Sequence, residues 1–200
     1  MNLKKHSEAS IPTPWGDFLL QAYSSDINDA MPHLALVAKG FDPSKGPVLV
    51  RIHSECLTGD LFGSKRCDCG EQLDKSLELV SKSGGVIIYL RQEGRGIGLI
   101  NKLKAYQLQD KGMNTADANL HLGLEVDERG YDIAIEMLAA LGVKSIQLLT
   151  NNPEKIEAIE KSDLKLLDRV PLIITPQKEN QEYLNTKKNL MGHLLASGKK

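Results

Sequence analysis

Long apolar runs are missing from this chain of 200 residues. The two longest, residues 34–38 and 86–90, have the length of a strand. A membrane span needs ~18 residues, so no membrane association is expected. The opening MNLKKHSEASIPTPWG has no apolar h-region. That speaks against a signal peptide and makes the cytoplasm the expected location. An excess of one charge is missing as well: 25 Lys and Arg against 26 Asp and Glu leave a formal charge of −1. A general nucleic-acid binder carries a clear basic surplus, so no nucleic-acid partner is expected. Cysteine is scarce and odd in number, and three thiols make a poor disulfide framework. Internal repeats and low-complexity stretches are absent too. What is present is a folding composition, 41% hydrophobic with almost no net charge. A chain of this mass buries roughly 70% of its unfolded surface, enough for one domain or two closely packed halves.

The first quarter is β-rich. Residues 17–23, 33–38 and 48–53 read as strands, separated by the turn-rich stretches SSDINDAMP and KGFDPSKGP. From about residue 70 the rhythm becomes alternating helix and strand. Residues 72–83 have helical apolar spacing at Leu73, Leu77 and Val80, and Gly84-Gly85 ends the run. Residues 86–90 form a buried strand. Residues 99–111 form a helix with Leu99, Leu103 and Tyr106 on one face and Gly112 behind it. Residues 131–141 give a helix with Ile133, Met137, Leu138 and Leu141 inward, and residues 143–149 a strand. Asn152-Pro153 is a good start for another helix. Residues 164–175 read as extended, with Pro171 pushing part of them to an edge, and residues 180–195 as a closing helix. The class is α/β with a mixed sheet flanked by helices.

Cys56, Cys67 and Cys69 stand as C-x10-C-D-C. In an extended segment residues 67 and 69 point to one side, and a third thiolate from the loop after a strand can join them. Zn²⁺ suits such a set. Three protein ligands leave a corner for water, the catalytic arrangement. Two other readings stand beside it: a structural site closed by His53, or buried thiols without metal. Three thiolates on Zn²⁺ sum to −1, and Lys65 and Arg66 are placed in sequence to offset that charge.

VIIYLRQEGRGIGLINKL reads strand, glycine-rich turn, helix, the layout of a phosphate cradle with Arg91 and Arg95 available to pair oxygens. It matches neither the P-loop nor the dinucleotide fingerprint, and a plain tight turn is the competing reading. Glu93 suits a metal ion or the N–H edge of a guanine-like base better than a phosphate. Asp127 and Arg129 share a side if extended, as an exposed ion pair or as a phosphate-handling pair. Thr150-Asn151-Asn152-Pro153-Glu154-Lys155 is a second strand–turn–helix, either a plain N-cap or a holder for a polar part of a ligand.

Taken together, RIHSECLTGD, KRCDCGEQL, RQEGRGIGLINK, DERGYD and LLTNNPEKI resemble GTP cyclohydrolase II, the first enzyme of riboflavin synthesis. The resemblance covers about residues 48–195; residues 1–45 match least well, and no function is carried onto them. It implies a single domain of this family over residues 1–200, with a mixed, partly barrel-like sheet. It implies one Zn²⁺ per chain on Cys56, Cys67 and Cys69. GTP would be contacted by Arg51, Ile52, His53, Ser54, Glu55, Gln72, Glu93, Gly94, Arg95, Thr115, Thr150 and Lys155. Asp127 matches the family's proton acceptor, Arg129 its proposed nucleophile, and Tyr106 a tyrosine near the reacting ring. Mg²⁺ on the triphosphate and a homodimer are also implied.

The implied reaction is hydrolysis at guanine C8, a cyclic-amidine carbon, and at the α–β phosphate bond. Its products would be formate, pyrophosphate and 2,5-diamino-6-hydroxy-4-(5-phosphoribosylamino)pyrimidine. The dihydroxybutanone phosphate synthase often fused to this family has no room within 200 residues. A protonated guanidinium is a poor nucleophile, so Arg129 is open to a covalent role or to charge stabilisation of the α-phosphate. Two rival classes are a non-catalytic nucleotide-binding protein with structural zinc and a zinc deaminase of nucleobases. The deaminase signature H-x-E…P-C-x-x-C is absent.

Overall fold

The computed structural model describes residues 3–195, and the chain falls into two compact units. The first comprises the residues up to His53, Asp74–Arg91 and Tyr131–Leu172; the second comprises Ser54–Leu73, Gln92–Gly130 and the residues from Ile173 on.

The first unit is built on a seven-stranded sheet: β1 (Lys4–Thr13), β2 (Gly16–Ser24), β3 (His33–Ala38), β4 (Val48–Ser54), β5 (Val86–Leu90), β6 (Ser145–Leu149) and β7 (Lys165–Val170), in the order β1-β2-β3-β5-β4-β6-β7. β1, β2, β3 and β5 pair antiparallel, while β4, β6 and β7 pair parallel. The mixed sheet is as the sequence indicates. It is open, with β1 and β7 at its edges, so the expected partial barrel does not close. Val50, Ile52, Val86, Ile88, Ile146 and Leu148, at alternating positions that share one face of each strand, have almost no exposure and belong to one core cluster.

β1 has no counterpart in the sequence reading. Its sequence KKHSEASIPT is mostly exposed at an edge, so it shows no apolar alternation to find. It is held by pairing with β2 through a tight turn, where Gly16 takes a φ of 136°.

Three helices serve the sheet. α2 (Cys69–Ser83) starts in the second unit and runs into the first. α5 (Asp132–Ala140) buries Ala134, Met137 and Leu138 and packs on β5. α6 (Pro153–Glu160) begins as expected, with Asn152 Oδ1 accepting from Glu154 N at 2.9 Å. The second unit holds α1 (Leu57–Asp60), a 3-10 turn (Glu93–Gly96), α3 (Gly98–Gln109), α4 (Thr115–His121), a second 3-10 turn (Lys178–Asn180) and α7 (Gln181–Leu190). α4 was not foreseen; Asn114 caps it by accepting from Asp117 N at 2.9 Å. The closing helix ends at Leu190 rather than 195, and the extended 164–175 segment is a strand only as far as Val170.

Candidate active site

Cys56 is the N-cap of α1, Cys67 lies in a bend, and Cys69 is the first residue of α2. The three sulfurs lie within 4.8 Å of one another, and Cys56 Sγ and Cys67 Sγ are 3.6 Å apart. The convergence foreseen from spacing is present, but by another route. Residues 67 and 69 are not on a strand; the start of α2 turns Cys69 back towards its partner. Two glycines make the approach possible. A Cβ on Gly70 would sit 2.3 Å from the Gly59 carbonyl oxygen. A Cβ on Gly59 would meet the sulfurs of Cys67 and Cys56 at 3.0 and 3.2 Å. The cluster therefore has backbone packed against it on one side, and its three soft donors fit a thiophilic divalent cation. His53 does not close it: among the described residues the candidate ligand set is these three cysteines, and the His53 ring stacks on Tyr89 at 5.4 Å.

Lys65 and Arg66 are not the compensating cations. Both are exposed, and Arg66 pairs with Asp110 at 2.5 Å. The cation at the sulfurs is Lys102 of α3, whose Nζ donates to Cys56 Sγ at 3.1 Å and to Glu93 Oε1 at 2.8 Å. Hydrogen bonds from the other two thiols, opposed by burial and helped by Lys102, hold the Cys56 thiol far below its usual range. The resulting thiolate pushes Cys67 up to about 11 and Cys69 well above the ordinary value. Burial works against the Lys102 ammonium, but Cys56 and Glu93 overcome it and keep the group charged.

The glycine-rich turn follows β5. Gly94 and Arg95 both adopt left-handed backbone, with φ of 63° and 64°. Arg95 is the one non-glycine residue with positive φ among the described residues, a costly conformation for a side chain of that size. Its Nη1 and Nη2 are buried without a hydrogen-bond partner, and its guanidinium lies over the Tyr183 ring at 5.6 Å. The loop holding Asp127 docks on this turn: Glu128 N donates to the Arg95 carbonyl at 3.0 Å, and a Cβ on Gly96 would come within 2.9 Å of Glu128 Cβ. Asp127 and Arg129 form a fork. Arg129 Nε donates to Asp127 Oδ1 at 2.8 Å, and Nη2 donates to Oδ2. Burial would raise the Asp127 pKa, but Arg129, aided by Arg95, holds it below the usual carboxylate value.

One cavity of the second unit is lined by the three cysteines together with Ser54, Glu55, Glu93, Gly94, Arg95, Tyr106, Thr115 and Arg129. The metal, catalytic and turn residues singled out from the sequence are thus brought together, with Asp127 held to the cavity through Arg129. Gln72 is not in the lining; its Nε2 donates to Asp68 Oδ2 at 2.5 Å. Glu93 does not present a spare edge, since Oε2 accepts from Leu57 N at 2.6 Å and Oε1 from Gly94 N and Lys102.

Arg51, Ile52, His53, Thr150 and Lys155 belong to the first unit, at the C-terminal ends of β4 and β6 and the start of α6. Crevices outside such strand ends are the usual ligand sites of open α/β sheets. Here Arg51 donates to the Leu149 carbonyl at 3.0 Å and Lys155 to the Ile52 carbonyl at 2.8 Å. Thr150 Oγ1 accepts from Asn152 N at 3.0 Å. Arg91 also lies in the first unit, donating to the Pro32 carbonyl at 3.2 Å rather than lining the cavity.

Sequence reasoning missed Lys102, Asn119 and Tyr183, which also line the cavity. Leu103, expected inward, is 46% exposed, while Lys102 and Ala105 are buried. Apolar spacing found Tyr106 but passed over Lys102, because the inner face of α3 carries a paired charge beside that tyrosine. Lys102 stands four residues before Tyr106, one turn away, and that spacing was the available signal.

Known proteins resemble this chain along its whole length. The GTP cyclohydrolase II family model matches residues 4–171, so it reaches into the first strands, ahead of the 48–195 stretch of the resemblance, and stops short of the end of that stretch. A GTP cyclohydrolase-2 of Campylobacter hominis is 50% identical over 200 residues, covering 100% of both chains. One from Yersinia pseudotuberculosis is 48% identical over 196 residues, covering 98% of this chain and 99% of the relative. The riboflavin biosynthesis protein RibBA of Bacillus cereus is 50% identical over 192 residues; the match takes in 96% of this chain but 48% of that protein.

Proposed function

The chain belongs to the GTP cyclohydrolase II family, a hydrolase of riboflavin biosynthesis, and on that premise we propose that it works as one such domain, using the three-cysteine cavity to open the guanine ring of GTP and cleave its α–β phosphate bond. The observation that carries this reading is Arg95. A guanidinium held in strained backbone, with two buried Nη atoms lacking a partner, beside three convergent thiols and Arg129, calls for an anion. The triphosphate is that anion, accompanied by Mg²⁺ in solution.

Cys56, Cys67 and Cys69 would hold Zn²⁺. When bound, it supplies a Lewis acid that lowers the pKa of water at its open position. The chain's own groups do the rest. The cavity lined by Ser54, Glu55 and Thr115 receives the base and orients C8 towards the cluster. Tyr106, its hydroxyl pKa raised by burial, stays protonated and can donate to the opening ring. Formate and a diamino-hydroxy-pyrimidine ribosyl phosphate result.

Arg129 is best read as a charge stabiliser. Its fork with an ionised Asp127 keeps it cationic, and a cation suits the negative charge developing on the α-phosphate as pyrophosphate leaves. A covalent role would first have to pass a proton along one of the existing N–H···O contacts to Asp127. Arg51, His53, Thr150 and Lys155 are assigned to the substrate by the family resemblance. We further take the enzyme to be a cytoplasmic homodimer; no described helix is long and apolar enough to cross a membrane.

The test is incubation of the purified protein with GTP and Mg²⁺, with formate and pyrophosphate measured side by side and ATP as the comparison. Both products from GTP and little from ATP are expected, because a site with polar groups placed for guanine leaves them unpaired against adenine. Pyrophosphate without formate, or equal turnover of ATP, would overturn the reading.

A further inference from the structure

Lys102 is absent from the residues that the family resemblance brings, yet it stands at the centre of the cavity's charge. It is 8% exposed on a helix whose neighbouring leucine points to solvent. Its ammonium touches Cys56 Sγ at 3.1 Å and Glu93 Oε1 at 2.8 Å. Glu93 returns to the same place by its other oxygen, which accepts from Leu57 N at 2.6 Å, the residue after the first cysteine. Side chains of Lys102 and Glu93 are only 10% and 11% exposed.

Without Lys102, a nearly buried carboxylate would face three sulfurs across the same small space. Three thiolates exceed the charge of a divalent cation by one, and Glu93 adds another. The cluster therefore needs a permanent cation, and Lys102 donates directly to one of its sulfurs. It also links two loops: the glycine-rich turn, through Glu93, and the start of α1, through Cys56.

We propose that Lys102 is the charge-balancing and positioning residue of the three-cysteine centre, coupling the glycine-rich turn to the metal through a Glu93–Lys102–Cys56 chain. The proposal rests on the zinc reading above. It assigns Lys102 no part in proton transfer: the residue acts through its fixed charge on a ligand of the metal.

The experiment uses the full chain loaded with Co²⁺, whose thiolate charge-transfer absorption reports the sulfur environment, and a competing chromophoric chelator to measure affinity for Zn²⁺. Loss of a group that contacts a metal ligand typically lowers affinity about 10–100-fold. Lys102→Met and Lys102→Gln should both fall in that range and shift the Co²⁺–thiolate band. Lys102→Arg should stay within a few-fold of wild type, since it keeps the charge. Adding Glu93→Gln to Lys102→Met should recover part of the lost affinity, because the carboxylate left behind is then neutral. A purely structural lysine predicts the opposite: two core substitutions together bind no better than one. Wild-type affinity and spectrum in folded Lys102→Met or Lys102→Gln would overturn the proposal, as would an Arg variant as weak as the Met variant. Absence of one equivalent of bound Co²⁺ or Zn²⁺ in the wild type would instead reject the metal reading itself.

Discussion

Buried cations of the two units reach for different kinds of acceptor. In the first, Arg51 and Lys155 are buried among apolar strands and donate to backbone carbonyls. In the second, three buried cations pair with carboxylates, Lys102 with Glu93, Arg129 with Asp127, and Lys187 with Asp68 at 2.5 Å, while the Arg95 Nη atoms have no partner. A sheet offers fixed carbonyls at strand ends, so a buried cation finds acceptors in the frame itself. Helices joined by long loops offer fewer such groups, and ion pairs tie the glycine-rich turn to α3 and the second cysteine segment to α7. The frame of the first unit is set by hydrophobic burial; the geometry of the second is set by electrostatics and its cysteines. Substitutions should therefore have different signatures in the two regions.

The largest effects belong to the chemistry of the second unit. Cys67→Ser should lose the metal and, with it, several kcal/mol of transition-state stabilisation, roughly 10³-fold in formate release. It should keep some pyrophosphate release if the two steps are separable. Arg129→Ala should lower pyrophosphate release by about 10²–10³-fold, the usual cost of removing one charge-stabilising donor. If Arg129→Ala also stops formate, phosphate cleavage precedes ring opening. A folded Cys67→Ser without any pyrophosphate release would show one interlocked site.

Next come two substitutions that set the regions against each other. Lys187→Met leaves Asp68, 1% exposed, without its cation. Breaking a buried pair costs about 3–5 kcal/mol. Leu148→Ala in β6 should cost a similar 2–5 kcal/mol, by cavity formation. Salt and rescue distinguish them in urea melts. Adding Asp68→Asn to Lys187→Met should recover stability, whereas no single polar change rescues Leu148→Ala. If Lys187→Met is neutral, the ion pairs are not what holds the second unit.

The same contrast explains how much could be read from sequence. β3, β5 and the start of α6 are found within a residue or two, because apolar runs and an Asn-Pro cap leave direct marks on the chain. β1 is invisible because an edge strand facing water has no alternation to show. Cys56, Cys67 and Cys69 were legible from spacing alone, although α2 starting at Cys69, rather than an extended strand, does the converging. Lys102 left one mark, its four-residue spacing to Tyr106, and Tyr183 left none. Apolar periodicity treats a lysine as an outward residue, and nothing local in the sequence tells that Glu93 and Cys56 wait for it. Arg95 in left-handed backbone is likewise a tertiary choice, fixed by Glu128 N on its carbonyl.

A smaller effect concerns pH. Burial, with Lys187, Arg129 and Arg95 adding repulsion, lowers the His193 pKa from 6.5 to about 4. Below pH 6.5 the unfolded chain takes up a proton that the folded one refuses. Stability from this group is thus present above 6.5 and is lost as pH falls towards 4. Allowing for partial exposure, the loss amounts to roughly 1–2 kcal/mol. Urea melts at pH 7 and pH 4.5 should show it, and His193→Gln should flatten that part of the profile. An unchanged slope in the variant would place the titration elsewhere.

The smallest effects compare one cap chemistry in the two units. Asn152 starts α6 and Asn114 starts α4, each accepting from a backbone N–H at 2.9 Å. Replacing an Asn cap by Ala costs about 1 kcal/mol in general. The surroundings differ, however. Asn152 is 5% exposed, and its Nδ2 donates to the Tyr131 hydroxyl at 3.3 Å. Its loss strips a partner from a buried phenol, which adds about 1 kcal/mol or more. Asn114 has Asp117 Oδ2 as its other partner, at 2.7 Å, where water can replace it. Asn152→Ala should therefore cost about twice as much as Asn114→Ala in denaturant melts. Asn114→Ala should act instead on the cavity, since Thr115 is the first residue of the helix it caps. A raised KM for GTP with little change in stability is the expected signature. Equal stability costs at both positions, with KM untouched, would mean that α4 holds Thr115 without its cap.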